Sequence, residues 1–159
     1  MAEDREDYDD SGDSGPAPRG TSFLGDIVID ASLTLNWFLD EVVDPITSSV
    51  WTQMAQYEPF VPPIWHLEVR NVLLSSERRG RLAADRLDEL LRDLTTLPIR
   101  NDELSDLDTA FALARTHGLS FYDATYLELA KRRRAPLATL DSALNRAAIA
   151  EGLPPLPQS

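Results

Sequence analysis

Four carboxylates in this chain have the types and positions to do chemistry. Asp30 ends the apolar run "DIVID", Asp141 ends "APLATLD", Asp123 sits in "SFYDATY", and Glu68 lies inside "IWHLEVRNVLL". Three of them also have an ordinary structural explanation. An Asp between a strand and a helix is commonly an N-cap, its oxygen satisfying free backbone N–H groups. Ser120 followed three residues on by Asp123 fits a capping box. Glu68 has no such account. It is far from both ends of its helix and shares a stripe with Ile64, Asn71 and Val72 that is apolar enough to be directed at the core. A buried acid needs a partner or a cation, or it takes up a proton. Grouped carboxylates suit a hard divalent ion such as Mg2+ or Mn2+, bound through oxygen. With a phosphate ester, that is the chemistry of metal-assisted hydrolysis.

The elements that would position these acids alternate along the chain. "DIVID", "PFVPP", "TLPIRN" and "APLATLD" are short extended runs. Helical spacing covers "ASLTLNWFLDE", residues 45–56, "IWHLEVRNVLLSSERRG" from Pro63, residues 83–94, 103–117, 121–133 and "SALNRAAIAEG". Gly80 and Gly118 read as helix C-termini. Strands alternating with helices imply βαβ units and a mostly parallel sheet covered on both faces. Ligands of such sheets sit beyond the carboxyl ends of the strands, where Asp30 and Asp141 fall.

Composition narrows the rest. A chain of 159 residues is of a size for one domain. Residues 1–22 hold few large apolar side chains, and residues 1–20 carry seven acids against two bases, so 1–22 reads as a disordered acidic tail before a domain over 23–159. No cysteine is present, which removes disulfides, thiolate nucleophiles and Cys-ligated zinc. No apolar run reaches membrane-spanning length and the acidic start does not resemble a signal peptide, so a cytoplasmic location is expected. The net charge of −12 disfavours non-specific nucleic-acid binding unless a cation reverses it locally.

The blocks "IVIDASLTLNWFLDE", "VPPIWHLEVRNVLLSSERRGRL", "LPI" and "GLSFYDATYLELAKRRRAPLATLDSALNRAA" resemble, in that order, the PIN-domain family, and within it the VapC-type toxins of type II toxin–antitoxin pairs. The resemblance implies a three-layer α/β/α sandwich with a mostly parallel five-stranded sheet. It implies an endoribonuclease that uses Mg2+ or Mn2+ held by Asp30, Glu68, Asp123 and Asp141, which also orient the attacking water. Ser32, Asn71 and Thr139 match its accessory polar positions. It further implies a homodimer, an RNA substrate and a cognate VapB-type antitoxin that reaches the acidic groove with a basic side chain. One departure is that members of this type typically start within a few residues of the first strand, whereas some two dozen residues precede "IVID" here.

Other chemistries fit less well. The two histidines, His66 and His117, would have to meet to serve as an acid–base pair. An aspartyl-phosphate mechanism on Asp30 wants a second acid two residues on, where Ser32 stands, and a suitably placed lysine, of which the chain has only Lys131. A PIN-like module that binds RNA or protein without cleaving is the alternative from another class. "KRRR" (131–134) and "RRGR" (78–81) offer cations to RNA phosphates or simply solvated helix C-termini. Trp37, Trp51, Trp65, Tyr122 and Tyr126 fall at helical spacings that suit a core or an interface.

Overall fold

The computed structural model describes residues 23–39 and 42–156. The tail expected over 1–22 lies outside the described residues. In chain order the elements are β1 (Gly25–Ile29), α1 (Ala31–Leu39), α2 (Pro45–Gln53), β2 (Tyr57–Val61), α3 (Ile64–Arg78), α4 (Ala84–Thr96), β3 (Arg100–Asn101), α5 (Leu107–His117), α6 (Phe121–Arg133), β4 (Leu137–Ala138) and α7 (Ser142–Ala150). The sheet runs β3-β2-β1-β4 with every pairing parallel. The described residues thus form four strands, not the five the resemblance implies. These four are the extended runs visible in the sequence, and the intervening long segments are helical.

Alternation along β1 builds two cores from one strand. Val28 joins Phe60, Trp65, Val69, Leu90, Leu113 and Leu127 on the face covered by α3 to α7. Ile27 and Ile29 point the other way, onto Leu33, Val50 and Met54 from α1 and α2. A strand buried on both faces must be apolar throughout, which is why "IVI" is continuous. The result is a three-layer α/β/α sandwich. Helix ends follow local chemistry. Asp44, Asp106, Ser120 and Asp141 each accept a backbone N–H as N-caps. Gly118 ends α5 at φ 64°, a left-handed conformation that costs glycine little.

On α3 the core-facing stripe is Trp65, Val69 and Leu73, one residue round from the stripe that carries Glu68. Both stripes repeat at i, i+4, so period alone does not choose between them. The larger Trp65 takes the core, where its indole N–H donates to Thr34 Oγ1 at 3.1 Å and ties α3 to α1. The expectation that Glu68 points at the core is therefore corrected. Its neighbours Asn71 and Val72 are exposed, and Glu68 is only partly buried.

"KRRR" is largely consumed by the fold. Arg132 holds Glu128 at 2.7 Å and Asp102 at 3.1 Å, and also donates to the Leu104 carbonyl. Arg133 bridges Asp102 and Asp26, each at 2.7 Å, with its guanidinium 3.4 Å from the Phe60 ring centroid. Lys131 pairs with Glu151. Burial alone would raise the Asp102 carboxyl, but hydrogen bonds from Arg132, Arg133 and the Leu104 backbone outweigh it and hold the group below its usual range. Asp102→Asn should therefore destabilise the fold by about 1.5–3 kcal/mol in urea unfolding at neutral pH, the range for hydrogen bonds to a charged group. A group with a depressed folded pKa contributes fully above its unfolded value, about pH 4, and loses that contribution as pH falls through the folded one. The variant's stability should accordingly fall less steeply than the wild type's under acid.

Candidate active site

The parallel pairing of β1 with β4 sets the centre of the site. Ile29 lies opposite Ala138, and the ladder continues with the Asp30 N–H donating to the Ala138 carbonyl at 3.1 Å. Asp30 and Thr139 are thereby brought side by side, and the Thr139 hydroxyl donates to Asp30 Oδ2. The Ser32 hydroxyl donates to both carboxylate oxygens, at 2.7 and 2.9 Å. The Leu33 N–H adds a third donor at 3.0 Å, so Asp30 also caps α1. Each hydroxyl is in turn oriented by backbone: Leu140 N–H donates to Ser32 Oγ at 3.0 Å and Asp141 N–H to Thr139 Oγ1 at 2.9 Å. Asp141 then caps α7 through the Leu144 N–H at 2.8 Å.

The other two acids arrive from helices. Glu68 projects from the middle of α3 and accepts a hydrogen bond from the Tyr126 hydroxyl of α6 at 2.5 Å. Asp123, in the first turn of α6, has its backbone N–H on Ser120 Oγ, and that hydroxyl donates to its carboxylate at 2.6 Å. All four acids line one cavity of about 320 Å³, together with Ser32, Asn71 and Tyr126 and apolar walls from Ala31, Leu35 and Val72. Thr139 stands behind it, in contact with Asp30. The cavity opens at the carboxyl ends of β1 and β4, sheet neighbours between which the strand order reverses: the chain leaves β1 toward β2 on one side and reaches β4 on the other by a crossover from β3, a usual place for ligands on open α/β sheets.

The electrostatics follow from burial and crowding. Burial raises the Asp30 carboxyl above its ordinary value; Thr139, Ser32 and the Leu33 amide pull it down without cancelling the effect, and the charge of Asp123 pushes it up again. Glu68 is raised chiefly by burial and further by Asp123 and Asp30, against a lowering by Tyr126. Such a cavity is short of positive charge.

Tyr126 is the site residue that sequence reasoning left in the core. It is 1% exposed, so the core reading was correct, yet its hydroxyl reaches the cavity wall. The signal was its place three residues after Asp123 on one helical face. The histidines do not meet: His66 contacts Asn101 and Arg70, and His117 pairs with Glu151. Trp65 is core and Trp37 donates to the Thr47 carbonyl, while Trp51 packs edge-on against Trp37 and stays half exposed.

A parallel sheet covered on both faces, with an acidic cavity at the ends of its two central strands, defines an α/β domain whose polar site sits at the sheet's switch point. The chain belongs to the PIN-domain family, whose model matches residues 27–150. Among curated proteins it is similar to Ribonuclease VapC3 of Mycobacterium tuberculosis, 32% identical over 121 residues that span 76% of this chain and 86% of that one. It is 38% identical to Ribonuclease VapC3 of Pyrobaculum aerophilum over 80 residues, which span 48% of this chain and only 61% of that protein, under two thirds of its length. The crystal structure of PAE2754 from Pyrobaculum aerophilum shares the fold, with a TM-score of 0.54 at 24% identity over 77% of this chain and 86% of that one.

A carboxyl raised on folding costs stability above its folded pKa, and that cost vanishes below the ordinary carboxylate value. Glu68→Gln keeps an acceptor for Tyr126 and removes the charge. Metal-free Glu68→Gln should therefore unfold later than wild type at pH 7, by an amount on the order of 1 kcal/mol or about 3 °C. The gain should disappear as pH falls to about 4. Thermal melts at the two pH values check both parts.

Proposed function

We propose that the chain is a metal-dependent endoribonuclease, the toxin of a type II toxin–antitoxin pair, which hydrolyses RNA phosphodiester bonds with metal-activated water. The observation that carries this reading is the arrival of four carboxylates, from after β1, within α3, at the start of α6 and after β4, in one cavity. Membership of the PIN-domain family and similarity to proteins named ribonucleases support it.

Asp30, Glu68, Asp123 and Asp141 would hold Mg2+ or Mn2+. The donor set suits such an ion, being all oxygen and lacking the nitrogen and sulfur that softer metals select. Mg2+ usually takes one or two protein carboxylates and keeps several waters. The site therefore does not require three acids clasped together, and among the described residues none are. Bound there, the ion would polarise a phosphoryl oxygen and lower the pKa of the attacking water. The chain's own part is to fix the acids. Ser32 and Thr139 hold Asp30 and Ser120 holds Asp123, while Asn71 offers an amide at the cavity wall to the sugar–phosphate backbone.

With "KRRR" mostly paired internally, the arginines of "RRGR" (Arg78, Arg79 and Arg81) are the better phosphate contacts. They are exposed and make no ion pair among the described residues. The exposed apolar side chains of Leu104, Leu107, Phe111, Phe121 and Tyr122 support a homodimer. A VapB-type antitoxin with a basic segment is the partner that an acidic cavity would attract. A cytoplasmic location accompanies this reading, and among the described residues no helix is long and apolar enough to cross a membrane.

The test is cleavage of total cellular RNA by metal-stripped protein, with and without Mg2+ or Mn2+, beside Asp30→Asn. Discrete metal-dependent fragments that fall to background in the variant are expected. A folded protein that cleaves with neither ion would reject the nuclease and bring the non-cleaving binding module forward.

A further inference from the structure

We propose that Tyr126 is a positioning residue that restricts Glu68 to offering one oxygen to the cavity, and thereby sets the site's preference for a small octahedral cation over Ca2+. The inference rests on the metal-dependent reading above and goes beyond it to the selectivity of the site.

Only one of the two Glu68 oxygens is engaged. The Tyr126 hydroxyl donates to Oε2, and among the described residues Oε1 accepts no hydrogen bond. A buried tyrosine hydroxyl ordinarily finds some acceptor, so the bond alone could be plain core satisfaction. What argues for more is the choice and permanence of the acceptor. The partner is an acid of the cavity on a different helix, and the ring is immobilised among buried apolar side chains. The phenol is also held in place: Tyr126 is 1% exposed, and its hydroxyl lies 2.5 Å from Glu68 Oε2.

A carboxylate in that state presents a free Oε1 to a cation, whereas chelation through both oxygens would make Oε2 share its electron density between the ion and the tyrosine proton, weakening both contacts. The consequence differs between ions. Ca2+ accepts six to eight oxygens in flexible arrangements and readily takes carboxylates bidentately, whereas Mg2+ demands near-ideal octahedral geometry at shorter distances. Biasing Glu68 toward one oxygen disfavours a coordination mode that Ca2+ can use and Mg2+ or Mn2+ does not need. It also orients that oxygen, and partners of this kind are worth roughly 10–100-fold in metal affinity.

The test is direct binding of Mn2+, read from the paramagnetic resonance signal of the free ion, with Ca2+ measured by competition. Wild type is compared with Tyr126→Phe, Glu68→Gln and the double variant. Tyr126→Phe should weaken Mn2+ about tenfold and Ca2+ by less, so that the ratio of the two narrows. In the Glu68→Gln background the tyrosine substitution should change neither. Tyr126→Phe binding both ions as wild type does would overturn the proposal while leaving the metal site intact. A wild type that binds no Mn2+ would overturn the metal site and the proposal together. A second measurement needs no tyrosine variant. The infrared difference between Mn2+-loaded wild type and Glu68→Gln should show a one-oxygen carboxylate pattern for Glu68, and a bidentate pattern would overturn the proposal.

Discussion

The site depends on one constraint: a carboxylate cannot be buried without donors, and Asp30 is 5% exposed. Its donors are a side-chain hydroxyl two residues on, a backbone amide three residues on, and a hydroxyl just past the end of β4, more than a hundred residues later. The last is available only because β1 and β4 pair in parallel with Ile29 opposite Ala138. A slip of one residue would turn Thr139 to the other face of the sheet and leave Asp30 under-satisfied. The same register delivers the Leu140 and Asp141 amides to the two hydroxyls. Folding the sheet correctly and assembling the centre of the cavity are thus one event.

Much of this was legible in the sequence because the governing patterns are local. Apolar runs ended by Asp marked β1 and β4, and the two other extended runs overlap β2 and β3. The fifth strand came only from the resemblance, and no described run supplies it. The caps were also readable, since Asp30, Ser120 and Asp141 each lie three residues before the amide they satisfy. That Asp141 both caps α7 and lines the cavity shows that the two roles do not exclude each other, because a carboxylate has two oxygens.

What was not legible depended on choices between equal periods and on distant partners. Helix α3 has two stripes at helical spacing, and only the packing of Trp65 against Thr34 reveals which one is buried. Glu68 faces a cavity crowded with acids, not the dry core its stripe suggested. The bond from Tyr126 to Glu68 was not readable, because the two are 58 positions apart. "KRRR" looked like a solvated basic run because Asp26, Asp102 and Glu151 are likewise remote from it. Charge patterns in sequence count residues, whereas the surface potential counts only those left unpaired.

That internal pairing has a consequence for the chemistry proposed. The fold spends Arg132, Arg133 and Lys131 on its own carboxylates, yet leaves the four cavity acids with hydroxyl and amide donors and no cation among the described residues. Neutral donors can hold a carboxylate in place without neutralising it, so burial and mutual repulsion still raise Asp30 and Glu68. Among the described residues nothing supplies that positive charge. On the proposed reading two agents can supply it, a divalent ion that makes the cavity attractive to phosphate and a basic side chain of an inhibitor. Both answer the same deficit in the same volume, so occupancy by one weakens binding of the other. On that reading, inhibition by a basic partner would be a competition for the same charge deficit and would require no change in the protein's shape.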